Sequence, residues 1–565
     1  MSPPSLKRPN LPAELAQALA RSETEIARDP YDYVAWHDRG SALFAAGALE
    51  EALACYDRVI ALQPRLAEPH DNRGLTLQRL GRFSDAIASH DAAIACNPRF
   101  APAYLRRAMA LREFGRFEEA LRDADRAVTL DPESPLTLNG RGIIHNDLGQ
   151  CAAAVADYGQ ALQRAPKFVE ARNNLGNALH DLGRFAEAIG HLDQAIALRP
   201  GYADAHSNRA LALQELGRLD EAAASFDRAL AARPAFAEAS KRRGSLKLLR
   251  GDFAGGWKDL DASVQAAQAR HRANGQAATI PLWSGEPLRD RSILLSEPNG
   301  LGDTLQYWRF VPALLAMGAR VAFSGSPRMF PLLRSSPWQI PLLPEYEDVD
   351  GFDFRSELWS LPRLLRTSVE SIPADVPYLT ADPGRVARWR GLLSADSINV
   401  GICWQGNPGR KIDARRSIPL AEFAPLARVP GVRLISLQKV HGLQQIDDVA
   451  GVMQVVVPDA GFDADAGAFL DTAALMQGLD LVVTSDTAIA HLAGALARPT
   501  WVALQWMPEW RWMLERHDSP WYPTMRLFRQ SARGDWAGVF AAMHAALRNG
   551  KHRDETVQQP GPLLP

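Results

Sequence analysis

The sequence predicts an all-α repeat solenoid followed by an α/β region built from two parallel-sheet halves. Three observations carry that expectation. Prolines, glycines and alanines recur every 34 residues through the first half of the chain. After Ala269 that period gives way to short β-branched runs separated by helical stretches, the pattern of parallel sheets with crossover helices. Near the end, Leu481-Val482-Val483 runs into the polar turn Thr484-Ser485-Asp486-Thr487 and then the Ala/Leu-rich stretch Ala488 to Ala497, stopped by Pro499. That is a buried strand, a turn of N-cap residue types and a helix. Its free N–H groups and positive dipole end suit an anion such as a phosphate. His491, four to five residues into the helix, is placed to face the same anion.

Composition bounds the rest. A chain of 565 residues is expected to hold about two to four domains. Hydrophobic residues make up 47% and charged residues 23%, a globular composition. A net charge of −2 offers no electrostatic case for nucleic acid as a main partner. Cys55, Cys96, Cys151 and Cys403 show no metal or redox spacing and read as reduced packing residues. The start, MSPPSLKRPNLPAEL, has no apolar stretch of the signal-peptide kind, and no run of about 18 apolar residues occurs. A cytoplasmic protein without a transmembrane segment is the expectation.

Residues 1–32 read as a lone capping helix and residues 33–268 as seven repeats. Pro30, Pro64, Pro98, Pro132, Pro166, Pro200 and Pro234 form one column. Gly47, Gly81, Gly115, Gly149, Gly183, Gly217 and Gly251 form a second, and Ala52, Ala86, Ala120, Ala154, Ala188 and Ala222 a third. Each unit is helix, Gly turn, helix, Pro stop. Small residues at Gly40, Gly74, Ala108, Gly142, Gly176, Ala210 and Gly244 let the two helices approach closely. Three columns in one 34-residue period resemble the tetratricopeptide repeat. The loss of the proline at Gln268 marks the end of the array. Such repeats stack into a solenoid with a groove lined by the first helices, a surface for a protein or peptide. One groove column reads Asp38, Asn72, Arg106, Gly140, Asn174, Asn208, Arg242, so Asn72, Asn174 and Asn208 are candidate contacts to the backbone of an extended peptide. Similar asparagine ladders occur in the repeat arm of protein O-linked N-acetylglucosamine transferases. The next column is nearly all arginine, Arg39, Arg73, Arg107, Arg141, Arg209 and Arg243, with Leu175 the exception, and reads as solvated or ion-paired helix surface in preference to a binding stripe.

Residues 269–287 read as a linker and residues 288–395 as a first α/β half. Ser292 to Leu295 is a strand, Glu297 to Asp303 a Gly-containing loop, Thr304 to Met317 a helix, and Arg320 to Phe323 the next strand. Gly300-Leu301-Gly302 begins a dinucleotide fingerprint, but Leu305 stands where the third glycine belongs, which disfavours NAD. Asp303 is either the N-cap of that helix or a carboxylate at a strand's carboxyl end, where open α/β sheets place their ligands. Residues 396–550 read as a second half, with strands at Ile398 to Trp404, Arg433 to Gln438, Val455 to Val457, Leu481 to Thr484 and Trp501 to Leu504. Arg410, Lys411, Arg415 and Arg416 crowd a loop after the first of these and suit a diphosphate. Residues 551–565 are expected to be disordered.

NGLGDTLQ (Asn299 to Gln306), RRSIPL (Arg415 to Leu420) and SDTAIAHLAGAL (Ser485 to Leu496) resemble the motifs of bacterial heptosyltransferase-like glycosyltransferases, which have the two-Rossmann GT-B fold. The resemblance implies Asp303 as base, with Gly300 and Gly302 in its loop. It implies Arg416, with Lys411, on the donor phosphate. It also implies Ser485, Asp486, Thr487 and His491 around the donor diphosphate. The reaction implied is an inverting, metal-independent transfer from a nucleotide-sugar, without a further cofactor, while the repeats bind a protein partner or acceptor. Asp-x-Asp, a pattern of metal-dependent transferases, occurs at Asp348/Asp350 but also in the repeat helices, and no metal is expected. A protein O-glycosyltransferase of the N-acetylglucosamine type shares the layout. A repeat scaffold with a degenerate transferase domain is the non-enzymatic alternative.

Overall fold

The computed structural model describes residues 12–273, 280–297, 300–344, 351–409, 413–464 and 467–550. Arg410, Lys411, the pair Asp348/Asp350 and the expected tail lie outside the described residues. The chain forms two compact units, residues 1–234 and residues 235–565.

The first unit is all α. Helix Ala13–Arg28 precedes six helix pairs, from Tyr33–Ala45 with Leu49–Leu62 to Ala203–Glu215 with Leu219–Ala232. The glycine column from Gly47 to Gly217 has φ between 74° and 79°. That left-handed conformation ends each first helix and favours glycine. The small-residue column explains the pairing within a repeat. A Cβ on Gly40 would lie 2.9 Å from the Tyr56 ring, on Gly74 2.5 Å from the His90 ring, and on Gly142 2.6 Å from the Tyr158 ring. A large buried side chain on the second helix therefore fills the space that each missing Cβ leaves.

The arginine column is ion-paired, as its spacing predicts. Arg107 grips Asp123 of its own repeat through two bonds of 2.6 Å and reaches Asp91 of the preceding repeat at 2.5 Å. Arg141 bridges Asp157 and Asp125 in the same way. Each clamp sets one repeat against the next, because a guanidinium fork fits two carboxylates in fixed directions.

The second unit begins with the seventh helix pair, Ala237–Leu249 and Phe253–Ala273. Two expectations change here. The last helix runs to Ala273 rather than ending at 268, since Gln268 stands where a proline would have stopped it. The described part of the expected linker also carries structure, with Leu282 bridging to Arg355 in parallel register. The seventh repeat belongs to the α/β core: Leu248, Phe253 and Trp257 are buried in one cluster with Leu295, Tyr307, Trp521 and Tyr522.

Two parallel sheets follow. The first holds β1 (Ser292–Ser296), β2 (Arg320–Gly325), β3 (Leu342–Pro344) and β4 (Phe354–Glu357) in the order β3-β2-β1-β4. The second holds β5 (Ile398–Cys403), β6 (Val432–Ser436), β7 (Val455–Val456), β8 (Leu481–Ser485), β9 (Thr500–Leu504) and β10 (Met525–Arg529) in the order β10-β9-β8-β5-β6-β7. Counted from β5 as its first strand, that is the doubly wound order 3-2-1-4-5-6, and its switch point lies between β5 and β8. The expected helix from Thr304 starts earlier, as Leu301–Tyr307. It continues through a 3₁₀ turn, Trp308–Phe310, into Val311–Ala316. Pro312 has no N–H to give the preceding turn, which accounts for the tightened segment.

Among the described residues no helix is long and apolar enough to cross a membrane.

Candidate functional site

A cleft of about 850 Å³ opens where the carboxyl ends of the two sheets face each other. The loop after β1 and the helix Leu301–Tyr307 form one wall, while the loops after β5 and β8 form the other. Gly300, Gly302, Asp303, Arg416, Asp486, Thr487 and His491 all line it. These residues are up to 191 positions apart in the chain (491 minus 300). Ser485 lies just beneath, fully buried, with no partner for its hydroxyl among the described residues.

Gly302 packs against the helix of the second half. A Cβ there would lie 3.1 Å from His491 Cδ2 and 3.2 Å from Ala488 Cα. A side chain there would press on the facing helix across the cleft floor. Gly300 is the N-cap position of its helix, with extended backbone. Asp303 is therefore the third helical residue and not the cap.

On the opposite wall, Thr487 is the N-cap of helix Ala488–Ala495 and its side chain makes no capping bond. The hydroxyl instead meets Thr484 Oγ1 at 3.1 Å, which leaves the first helical N–H groups to the cleft. Arg416 ends the short helix Asp413–Arg416 and pairs with the buried Asp413 at 3.4 Å. A Cβ on Gly406 would lie 2.8 Å from Arg416 Nη2, so the guanidinium lies over that glycine. The loop after β5 is braced by Gln438, whose Oε1 accepts from the Trp404 and Gln405 amides and whose Nε2 donates to Gln405 O at 2.8 Å.

The centre of the site is Arg511, which the motifs did not single out. It lies in a 3₁₀ turn, Trp510–Trp512, beyond the carboxyl end of β9. Its Nη2 donates to Asp303 Oδ1 at 2.9 Å, its Nε donates to Glu509 Oε2 at 2.6 Å, and its Nη1 donates to Gln306 Oε1. Nη1 also lies 3.3 Å from His491 Nε2. Arginine has only donors, so Nε2 must accept, and the proton of a neutral His491 sits on Nδ1, 3.1 Å from Tyr522 OH. Burial holds the His491 imidazole well below its usual range, and the Arg511, Arg309 and Arg416 cations add to this. The ring stacks on Trp512, with centroids 5.6 Å apart. His491 thus presents its lone pair to Arg511 rather than an N–H to an anion, unlike the expected diphosphate contact. Burial pushes the Asp486 carboxyl up, against the opposing pull of Arg511 and Arg416, and raises Glu509 against Arg511. A cue to Arg511 was available in the Glu509-Trp510-Arg511-Trp512 run after a strand of a parallel sheet, where ligand-binding loops sit.

In the repeats, the candidate asparagines are half-buried and their amides turn to the preceding unit. Asn174 Nδ2 donates to Asn139 Oδ1 at 3.1 Å and Asn208 Nδ2 to Asn173 Oδ1 at 3.0 Å. Asn72 Nδ2 lies 3.0 Å from His37 Nε2. One N–H of each amide is committed within the array.

Models of the tetratricopeptide repeat match residues 40–81, 72–135, 142–183, 176–217 and 203–236. The array therefore consists of tetratricopeptide repeats, a class that suggests protein or peptide partners. Protein FlbA of Caulobacter vibrioides is 26% identical over 330 residues, which cover 54% of this chain and 54% of FlbA. The chain spans about half the length of that curated relative. Similar solved structures include a tetratricopeptide repeat protein from Parabacteroides merdae, 19% identical with a TM-score of 0.37, covering 43% of this chain and 96% of that one. They also include YrrB, a repeat protein described as having an unusual peptide-binding site, 22% identical with a TM-score of 0.27, covering 33% and 95%.

Proposed function

We propose that the α/β region is a heptosyltransferase-like glycosyltransferase of GT-B type, and that the repeats recruit a protein partner or acceptor. The observation that carries this reading is the convergence in one cleft. The first half contributes the Asp303 carboxylate, and the second contributes an uncapped helix N-terminus with Arg416 beside it. The two groups lie at the carboxyl ends of two parallel sheets, where such sheets take ligands. In this reading Asp303 accepts the acceptor's hydroxyl proton as its oxygen bonds to the anomeric carbon. The bond from that carbon to the nucleoside diphosphate breaks on the opposite face, so the configuration inverts. Arg416 and the N–H groups at Ala488 stabilise the departing phosphate charge. The donor is a nucleotide-sugar and no further cofactor takes part.

The test is a thermal shift of the full chain against a panel of nucleoside diphosphates. A ligand that binds only the folded state raises Tm by mass action. Arg416→Ala should weaken the binding nucleotide by about 1.5–3 kcal/mol, the size of a charge-assisted hydrogen bond. If no nucleotide in the panel shifts the wild type, the region acts as a repeat scaffold with a degenerate transferase domain.

A further inference from the structure

We infer that Arg511 is the positioning residue of the cleft: it holds Asp303 by one carboxylate oxygen so that the other faces the reacting hydroxyl. The inference rests on the transferase reading above and goes beyond it to a residue that no motif marks. Donor counting supports it. The guanidinium has five N–H groups. Asp303, Glu509, Gln306 and His491 take four of them, at the distances given above. Arg511 is therefore committed to protein groups and is poorly placed to clamp a phosphate, which leaves that role to Arg416.

The geometry also shows what fixes Arg511. Its side chain is only 12% exposed. Its backbone carbonyl accepts from Trp521 Nε1 at 3.0 Å. The preceding residue, Trp510, packs edge-on against Trp257 and Trp521, with centroids 5.5 and 5.8 Å away. The next residue, Trp512, is fully buried against His491. Arg511 is thus seated between the half-buried Trp510 and the buried Trp512, which restricts its orientation. Of its two partners in the helix of the opposite wall, Asp303 is the carboxylate, and its side chain is 34% exposed. Holding one oxygen removes the rotation of that carboxylate, which is the entropic part of a proton transfer.

A double-mutant cycle separates positioning from bulk structure. Arg511→Lys keeps the charge but has no fork, so it cannot hold Asp303, Glu509 and Gln306 together. The expected result is a kcat lower by about 10²-fold, the cost of misplacing a reacting group by about 1 Å, with the KM for donor within about twofold. In the Asp303→Asn background the same substitution should change kcat no further, because its effect runs through that carboxylate. Glu509→Gln, a milder change of the same anchor, should show the same dependence if Arg511→Lys does not fold. If the two losses multiply, or if Arg511→Lys retains full kcat, the positioning role is overturned while the transferase reading stands. A wild type that binds no nucleoside diphosphate and transfers no sugar overturns both.

Discussion

Asp303 is the third residue of its helix, with Gly300 at the cap position, so Asp303→Asn removes no cap. The substitution keeps shape and takes away the basicity together with the negative charge that Arg511 pairs with. Under the proposed transferase reading, transfer should fall by about 10²–10⁴, with nucleoside-diphosphate affinity intact, because that reading puts the phosphate on Arg416 and the helix N-terminus of the other wall. Turnover measured beside a melting curve decides it; a stable, fully active Asn variant removes Asp303 from the reaction. His491 makes a second prediction, in stability against pH. Its folded pKa lies well below its unfolded value. The unfolded chain therefore binds a proton that the folded chain refuses. That stability is fully present above the unfolded value near pH 6.5 and is lost as pH falls below it, at up to about 1.4 kcal/mol per pH unit. Wild type should lose more Tm than His491→Gln between pH 7.5 and 5.5. Equal losses would show that His491 takes no part. Asp303, Arg416 and His491 were legible because each follows a recognisable strand end or helix start. Arg511 was not, because its meaning comes from four partners drawn from three separate segments, Asp303 and Gln306, His491, and Glu509.

At the level of elements, the arginine clamps hold the array in register. The Asp123 side chain is 12% exposed and has its charge matched by Arg107, itself 21% exposed. Arg107→Ala leaves that carboxylate largely desolvated and without its arginine, and should cost about 1–3 kcal/mol. Arg116→Ala breaks an equally short pair with Glu119, but at an exposed site, and should leave the urea midpoint unchanged. Urea unfolding of residues 1–234 compares the two, and equal effects would mean that the clamps carry no special weight. Gly302→Ala tests packing in the same way. The added methyl must displace His491 or the helix at Ala488, and overpacking of this kind costs about 1–3 kcal/mol. The repeat helices were legible because one period fixes seven copies at once, and strands β1, β5, β8 and β9 because they are continuous apolar runs. Strands β3, β4 and β10 were not. Leu342–Pro344 has three residues and ends in proline, while Phe354–Glu357 and Met525–Arg529 each carry charges. They are strands only because a neighbouring strand offers its backbone edge.

At the scale of the whole molecule, the division between the two compact units does not fall where the repeat pattern ends. By period, the seventh helix pair is a repeat like the others. By packing, it belongs with the sheets, since Leu248, Phe253 and Trp257 are each less than 5% exposed within the α/β core. Trp257 Nε1 donates to Thr367 O at 2.5 Å, and Asp261 pairs with Arg363 and, at 2.6 Å, with Arg366. The side chains responsible are aromatic residues inside a helix, and sequence alone could not say which surface they cover. The consequence is a prediction about fragments. A fragment starting at residue 235 keeps this cluster whole. One starting at residue 288, the apparent start of the α/β region, loses the Phe253 and Trp257 rings and uncovers Trp510. Truncating one large buried aromatic costs about 3–5 kcal/mol, and a whole domain is stable by only about 5–15 kcal/mol. Residues 235–565 should therefore melt in one cooperative transition, while residues 288–565 should bind a hydrophobic dye at room temperature or fail to melt cooperatively. Trp257→Ala in the full chain should lower the melting of the α/β region and also lower kcat with nucleoside-diphosphate affinity kept, because Trp510, which packs on Trp257, adjoins Arg511. A 288–565 fragment as stable as 235–565 would mean that the seventh repeat rests on the core without supporting it.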